Sequence, residues 1–374
     1  MRILLALDKF KGSLTAKQAA DAVVRGLERG GVKADIEICP IADGGEGFTE
    51  SVLTALGGEW REAPAHDAQG RPVMARYGLI RHHDHLEAIM EMSAASGLAL
   101  VSDLPLDPAT ASTAGTGEMM LHAMQNGAER ILIGIGGSAT NDGGTGMASV
   151  LGCQFYDVGE KPLTRLPADL DLVRRIAKER MVHCEVVVAC DVCNPLLGEN
   201  GCTRVYGPQK GVKDVTFFEE RMTRLADIVT RDLGCDYREQ AGAGAAGGLG
   251  FGLMSFCGAE LKCGFDVVAD VTGLHERVAR ADLVITGEGK LDAQTLHGKG
   301  PMGVAEMARE AGRPVIGVGG IIDASDELRS RFQALWQVKP ESMGIPEAIA
   351  RASELLEETV ARHSQEIVRL AGKA

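Results

Sequence analysis

A chain of 374 residues has length for about two domains, because a single hydrophobic core rarely grows past ~250–300 residues. Its net charge of −13, with no stretch that concentrates Lys and Arg, argues against a nucleic-acid partner, and no run approaches the ~18 apolar residues of a membrane helix. Glycine is the departure from the ordinary: 48 residues against a usual ~7%, clustered beside apolar runs without a collagen period or linker composition, so tight strand-to-helix turns are expected.

The N-terminus "MRILLALDKF" is apolar for only five residues before Asp8, too short for a signal peptide. Nine cysteines form an odd, scattered set without framework spacing. That reads as reduced thiols in a cytoplasmic protein.

In chain order, "RILLALD" is a buried strand and "TAKQAADAVVRGLERGG" a helix. Thr15 and Gln18 form a capping-box pair, Ala19, Ala20, Val23, Val24 and Leu27 make the apolar face, and Gly30–Gly31 stop it. "ADIEICPIADGGEG" supplies a second strand and its loop. "RPVMARYGLI" and "HLEAIMEM", around the turn "RHHDH", read as an antiparallel hairpin. Further strands are expected at "RILIGI", "EVVVACD" and "TRVYG". Towards the C-terminus come "ADLVITGEGKLD" as strand and loop, a helix at "GVAEMAREAG", strands at "PVIGVGG" and "ALWQV", and an amphipathic helix over 346–370.

Short apolar runs alternating with helical patterns predict an α/β class with a mainly parallel sheet. The two chain ends supply five strands, enough for a doubly wound sheet. The expected division is therefore residues 1–60 and 266–374 as one domain, with 61–265 as a second, inserted α/β domain.

Two glycine motifs compete for a ligand. No GxxxxGK[ST] occurs, which removes a Walker P-loop. "GAGAAG" at 242–247 fits a dinucleotide fingerprint literally but follows the polar "CDYREQA" rather than a buried strand, so helix packing or a hinge is the better reading. "GIGGSATNDGGTGM" at 134–147 does follow a strand and precedes a helix expected to begin near 141–144. Helix N-terminal amides and bared backbone attract anions. Gly136, Gly137, Ser138, Thr140, Asn141, Asp142, Gly143 and Gly144 are accordingly candidate phosphate contacts; a tight turn between packed elements is the competing reading.

Ligands of doubly wound sheets sit beyond the carboxyl ends of the strands. Asp8, Asp43, Asp191 and Glu288 fall there, accompanied by Lys9, Lys11, Lys210, Lys290 and Lys299. Mixed charge of that kind suits phosphoryl transfer. The lone "CDVC" (Cys190, Cys193) lacks further zinc ligands at matching spacing. His82, His83 and His85 read as solvated turn residues.

"ALDKFKGSL", "PIADGGEG", "GIGGSATNDGGTGM", "DVCNPLLG", "YGPQKG", "GAGAAGGLG" and "LVITGEGKLDAQTLHGKGPMGVA", in that order from residue 6 to 305, resemble the bacterial type of the glycerate kinase family. The resemblance implies a flavodoxin-like domain built from both chain ends, an inserted α/β domain, and an active site between them. It also implies phosphorylation of D-glycerate with ATP and Mg²⁺, giving 2-phosphoglycerate. The sequence departs from the family pattern where Lys9 replaces a serine, Cys193 an aspartate and Lys290 an arginine.

Chemistry and position then suggest roles. Asp191 is the expected base and Lys11 a cation facing the acid's carboxylate or the γ-phosphate. Asp43 and Glu288 are expected to meet Mg²⁺, directly or through water. Lys299 is a further phosphate candidate, and Asp8, Lys9, Ser13, Asn194, Gln209 and Lys210 are expected substrate contacts. Competing readings are a kinase giving 3-phosphoglycerate, one acting on another short acid such as erythronate, and a non-catalytic nucleotide-binding regulator. No feature specifies an oligomeric state.

Overall fold

The computed structural model describes residues 1–82, 84–178, 184–293, 295–297, 300–323 and 325–372. Its strands are β1 (Arg2–Leu7), β2 (Asp35–Ile38), β3 (Glu59–His66), β4 (Pro72–His82), β5 (His85–Glu91), β6 (Arg130–Gly134), β7 (Cys153–Tyr156), β8 (Arg175–Lys178), β9 (Glu185–Ala189), β10 (Glu260–Lys262), β11 (Leu283–Leu291), β12 (Val315–Ile322) and β13 (Ala334–Gln337). The chain forms two compact units. One comprises Met1–Asp43, Glu50–Gly57 and Phe265–Ala374; the other comprises Gly44–Thr49 and Gly58–Gly264.

The first unit holds a sheet in the order β13-β12-β11-β1-β2, with every neighbouring pair parallel. Numbered within this unit, that is the 2-1-3-4-5 order of flavodoxin-like sheets, whose switch point lies between β1 and β11. Burial on both faces explains why β1 and β11 are near-continuous apolar runs: Ile3, Leu4, Leu5, Leu283, Val284 and Ile285 are all inaccessible to solvent.

The helix Ala16–Arg29 starts with the capping box expected of Thr15 and Gln18, both bonds being formed. Ala19, Ala20, Val23 and Leu27 face the core, as the 3.6-residue period requires. At Gly26 a Cβ would come within 2.7 Å of Glu357 O, so only glycine lets the C-terminal helix lie this close. That C-terminal region is three helices rather than one: Ile345–Ala350, Ala352–Arg362 and Ser364–Ala371. The last break falls at His363, whose ring stacks on Trp336 of β13 at 4.6 Å.

The second unit holds a mixed sheet, β10-β9-β6-β5-β4-β3. The expected hairpin is β4–β5, antiparallel with His82 opposite His85. Sequence reading omitted β3, an edge strand whose outward Glu59, Arg61, Glu62 and Pro64 mask its period; such residues discourage edge pairing. "TRVYG" is corrected from strand to the helix Cys202–Tyr206. Its β-branched residues are overridden by tertiary contacts, with Thr203 buried and bonded to Asn141. No helix among the described residues is long and apolar enough to cross a membrane.

Candidate active site

In the first unit, β1 and β11 pair up to Leu7 opposite Gly287; Asp8 follows the carboxyl end of β1 at the switch point, while Glu288, expected at a strand end, lies inside β11 opposite Gly319 of β12. Asp8 is 8% exposed and accepts the Lys9 backbone N–H at 2.6 Å. Burial pushes its carboxyl up to about 7; the Lys9 ammonium opposes this, while the charges of Asp43 and Glu288 add to it. Lys9 Nζ reaches Asp43 Oδ1 at 3.1 Å. Burial also raises Glu288, against a hydrogen bond donated by Thr295 Oγ1 at 3.0 Å, and Asp292 and Asp43 push the same way. Lys290 pairs with Asp292 at 2.7 Å.

Asp8 and Glu288 are each raised by burial and by neighbouring carboxylates, Asp43 acting on both, an electrostatic setting that a divalent cation relieves. No three His, Cys, Asp or Glu side chains among the described residues converge into a ready cation cage. Mg²⁺ typically takes only one or two carboxylates, completing its shell with water and phosphate, so the donor set of Asp43 and Glu288 fits it.

In the second unit, β6, β9 and β10 run parallel, and Asp191 and the glycine-rich loop follow the carboxyl ends of β9 and β6. Asp191 follows β9, is exposed, and accepts two hydrogen bonds on Oδ1: from Cys263 Sγ at 3.0 Å and Gly264 N at 2.9 Å. The glycine-rich loop after β6 divides in two. Gly136 and Gly137 are accessible, whereas Ser138 through Gly146 are buried.

The buried half has internal partners. Asp142 is wholly enclosed, and its carboxylate accepts Thr113 N (2.9 Å), Thr113 Oγ1 (2.8 Å), Gly144 N (3.0 Å) and Gly146 N (3.2 Å). Burial raises its pKa while these donors pull it down. The helix expected to offer its amides to a phosphate is Thr145–Val150, and the anion at its start is the protein's own Asp142. Gly143 N donates to Gly247 O at 3.1 Å. The motif at 242–252 presses backbone to backbone against this half: a Cβ on Gly247 would collide with Thr140 O, and one on Gly248 would lie 2.9 Å from Gly143 Cα. Thr140, Asp142, Gly143 and Gly144 meet other parts of the chain here rather than standing open to a phosphate, whereas buried Asn141 donates to Thr203 and leaves its Oδ1 without a hydrogen-bond partner among the described residues.

Lysine enters the loop from outside it. Lys210 is 2% exposed, and its Nζ donates to Ser138 Oγ at 2.6 Å and to Thr140 O at 2.7 Å. Burial lowers its pKa to about 8, against the nearby Cys202 and Asp142. An ammonium so enclosed steadies the loop rather than reaching outward to a substrate.

Among the other expected residues, Lys11 is exposed beyond β1. Ser13 turns its hydroxyl inward to Phe10 O at 2.9 Å. Asn194 is tied at both ends, donating to Asn200 O at 2.8 Å and accepting from Tyr206 OH at 2.7 Å. Gln209 is exposed. Lys299 and His83 lie outside the described residues, and His85 pairs with Glu129 at 3.4 Å. Sequence reasoning missed Thr113, Cys263 and Thr295, each joined to its carboxylate by the fold. Only the short Glu288–Thr295 spacing was available as a local signal.

The chain matches the Glycerate kinase family over residues 3–368. It is 41% identical over 364 residues to a glycerate kinase of Halalkalibacterium halodurans, covering 95% of each chain. It is 41% identical over 326 residues to the glycerate 2-kinase of Escherichia coli K12, covering 86% of this chain and 85% of that one. A crystal structure from Salmonella typhimurium LT2, of a protein assigned as glycerate kinase 2, superposes with a TM-score of 0.88 at 39% identity, over 100% of this chain and 99% of the other. The chain belongs to the glycerate kinase family.

Proposed function

We propose that this protein transfers the γ-phosphoryl group of ATP to the 2-hydroxyl of D-glycerate, giving 2-phosphoglycerate and ADP. The observation that carries the reading is the 41% identity to a glycerate 2-kinase along 86% of this chain. The disposition of charge supports it: carboxylates and cations stand together at strand ends, as phosphoryl transfer requires.

Asp191 accepts the proton of the attacking hydroxyl; its exposure and its fixed Oδ1 suit that role. Lys11 offers a mobile cation to the acid's carboxylate or to the γ-phosphate. Gly136 and Gly137 form the accessible part of the glycine-rich loop that meets phosphate, stiffened from behind by the bond of Lys210 to the next residue, Ser138. Lys9 and Gln209 are the remaining substrate contacts. Mg²⁺, when bound, offsets phosphate charge, and Asp43 and Glu288 would hold it. A cytoplasmic setting fits nine cysteines that form no disulfide among the described residues.

One observation favours a second assignment of the base. The Asp8 carboxyl, raised to about 7 at the switch point, is poised for proton transfer near neutral pH. Comparing Asp8→Asn with Asp191→Asn separates the two, since only the base's variant should lose turnover while retaining the KM for both substrates. For the activity itself, kcat/KM for D-glycerate and for erythronate with ATP and Mg²⁺ is the test. Preference for glycerate supports the reading; preference for erythronate or absence of ADP release overturns it.

A further inference from the structure

We infer that Cys263 is a positioning residue for Asp191, its thiol fixing the carboxylate that receives the hydroxyl proton; the inference rests on Asp191 being the base. β9 and β10 are parallel neighbours with Ala189 opposite Lys262, and Cys190 N continues the ladder to Lys262 O at 2.9 Å. Asp191 and Cys263 therefore emerge next to each other from the ends of two strands. Cys263 Sγ and Gly264 N, from successive residues, converge on the single oxygen Oδ1 at 3.0 and 2.9 Å.

Two donors on one oxygen restrict rotation of the carboxyl group, and bonds to the charged form favour it over the protonated one. Both effects serve a base, which must be ionised before reaction and correctly aimed when the proton moves. The Gly264 donor is main chain and persists in any side-chain variant. The Cys263 donor is removable, and because this side chain is only half-buried its truncation leaves the core intact. A thiol is a weak donor, so the effect is modest rather than absolute.

The test compares Cys263→Ala and Cys263→Ser with the parent, by kcat, both KM values and the pH profile of kcat/KM for glycerate. Cys263→Ala should lower kcat by roughly three- to tenfold and move the acidic limb to higher pH, with KM for ATP unchanged. Cys263→Ser, which retains a donor, should recover most of the loss. Added to Asp191→Asn, Cys263→Ala should have no further effect, because its target is gone. An alanine variant that coincides with the parent, or a serine variant as impaired as the alanine, overturns the positioning role while a collapsed Asp191→Asn leaves the base assignment standing. Near-parental turnover by Asp191→Asn would overturn both.

Discussion

Lys210 Nζ lies 2.7 Å from the carbonyl oxygen of Thr140, 70 residues earlier in the chain. A chain without a P-loop lysine has a cation at its glycine-rich loop after all, delivered from a distant segment and enclosed by the fold. The enclosure has a consequence for stability. The folded pKa is about 8 against an ordinary 10.5, so between those values the unfolded chain binds a proton that the folded chain does not. Stability therefore rises with pH across that window, and the cost of the buried charge is fully present below pH 8. Relative to Lys210→Met, the parent's unfolding free energy should gain about 1.4 kcal/mol per pH unit above 8. Urea melts of both proteins at pH 7.5, 8.5 and 9.5 would check this; a constant difference would contradict it.

Gly247→Ala should be severely destabilising. Its new methyl would strike Thr140 O, and the position sits at φ +68°, which alanine resists. A loss of at least about 3 kcal/mol is expected, measured by denaturant unfolding. Stability within about 0.5 kcal/mol of the parent would mean that the two glycine-rich segments do not pack as described.

Asp191→Asn should lower kcat on glycerate by at least ~10², the low end for general acid–base catalysis. Binding of ATP should persist, since the phosphate contacts we propose lie on another loop. Steady-state kinetics with an ATP-binding titration would report both.

Lys11→Met should raise KM for glycerate or lower kcat by roughly tenfold or more, as expected for a lost charge-assisted contact. Unchanged values of both would place the carboxylate clamp elsewhere.

The architecture was legible where local chemistry and tertiary demand agree. β1, β11 and β12 are apolar runs because parallel strands inside a sheet are buried on both faces, and the Thr15–Gln18 box marks a helix start by itself. The glycine-rich loop was legible only in part. Its glycines suggested an approaching backbone, and most do meet one within the chain: Gly134 and Gly136 face Gly44 and Gly45, Gly143 and Gly144 face residues 247–252, and Gly146 faces residues 112–114. Nothing near Ser138 announces Lys210, and nothing near Asp142 announces Thr113, because those pairings depend on how distant segments pack. The strand expected at 203–207 failed for the same reason, with packing overriding β-propensity.

The most direct measurement is the phosphorus NMR spectrum of the product formed from ATP, Mg²⁺ and D-glycerate. The account expects ADP together with 2-phosphoglycerate. A spectrum showing 3-phosphoglycerate, or one in which ATP remains unconsumed, would contradict it.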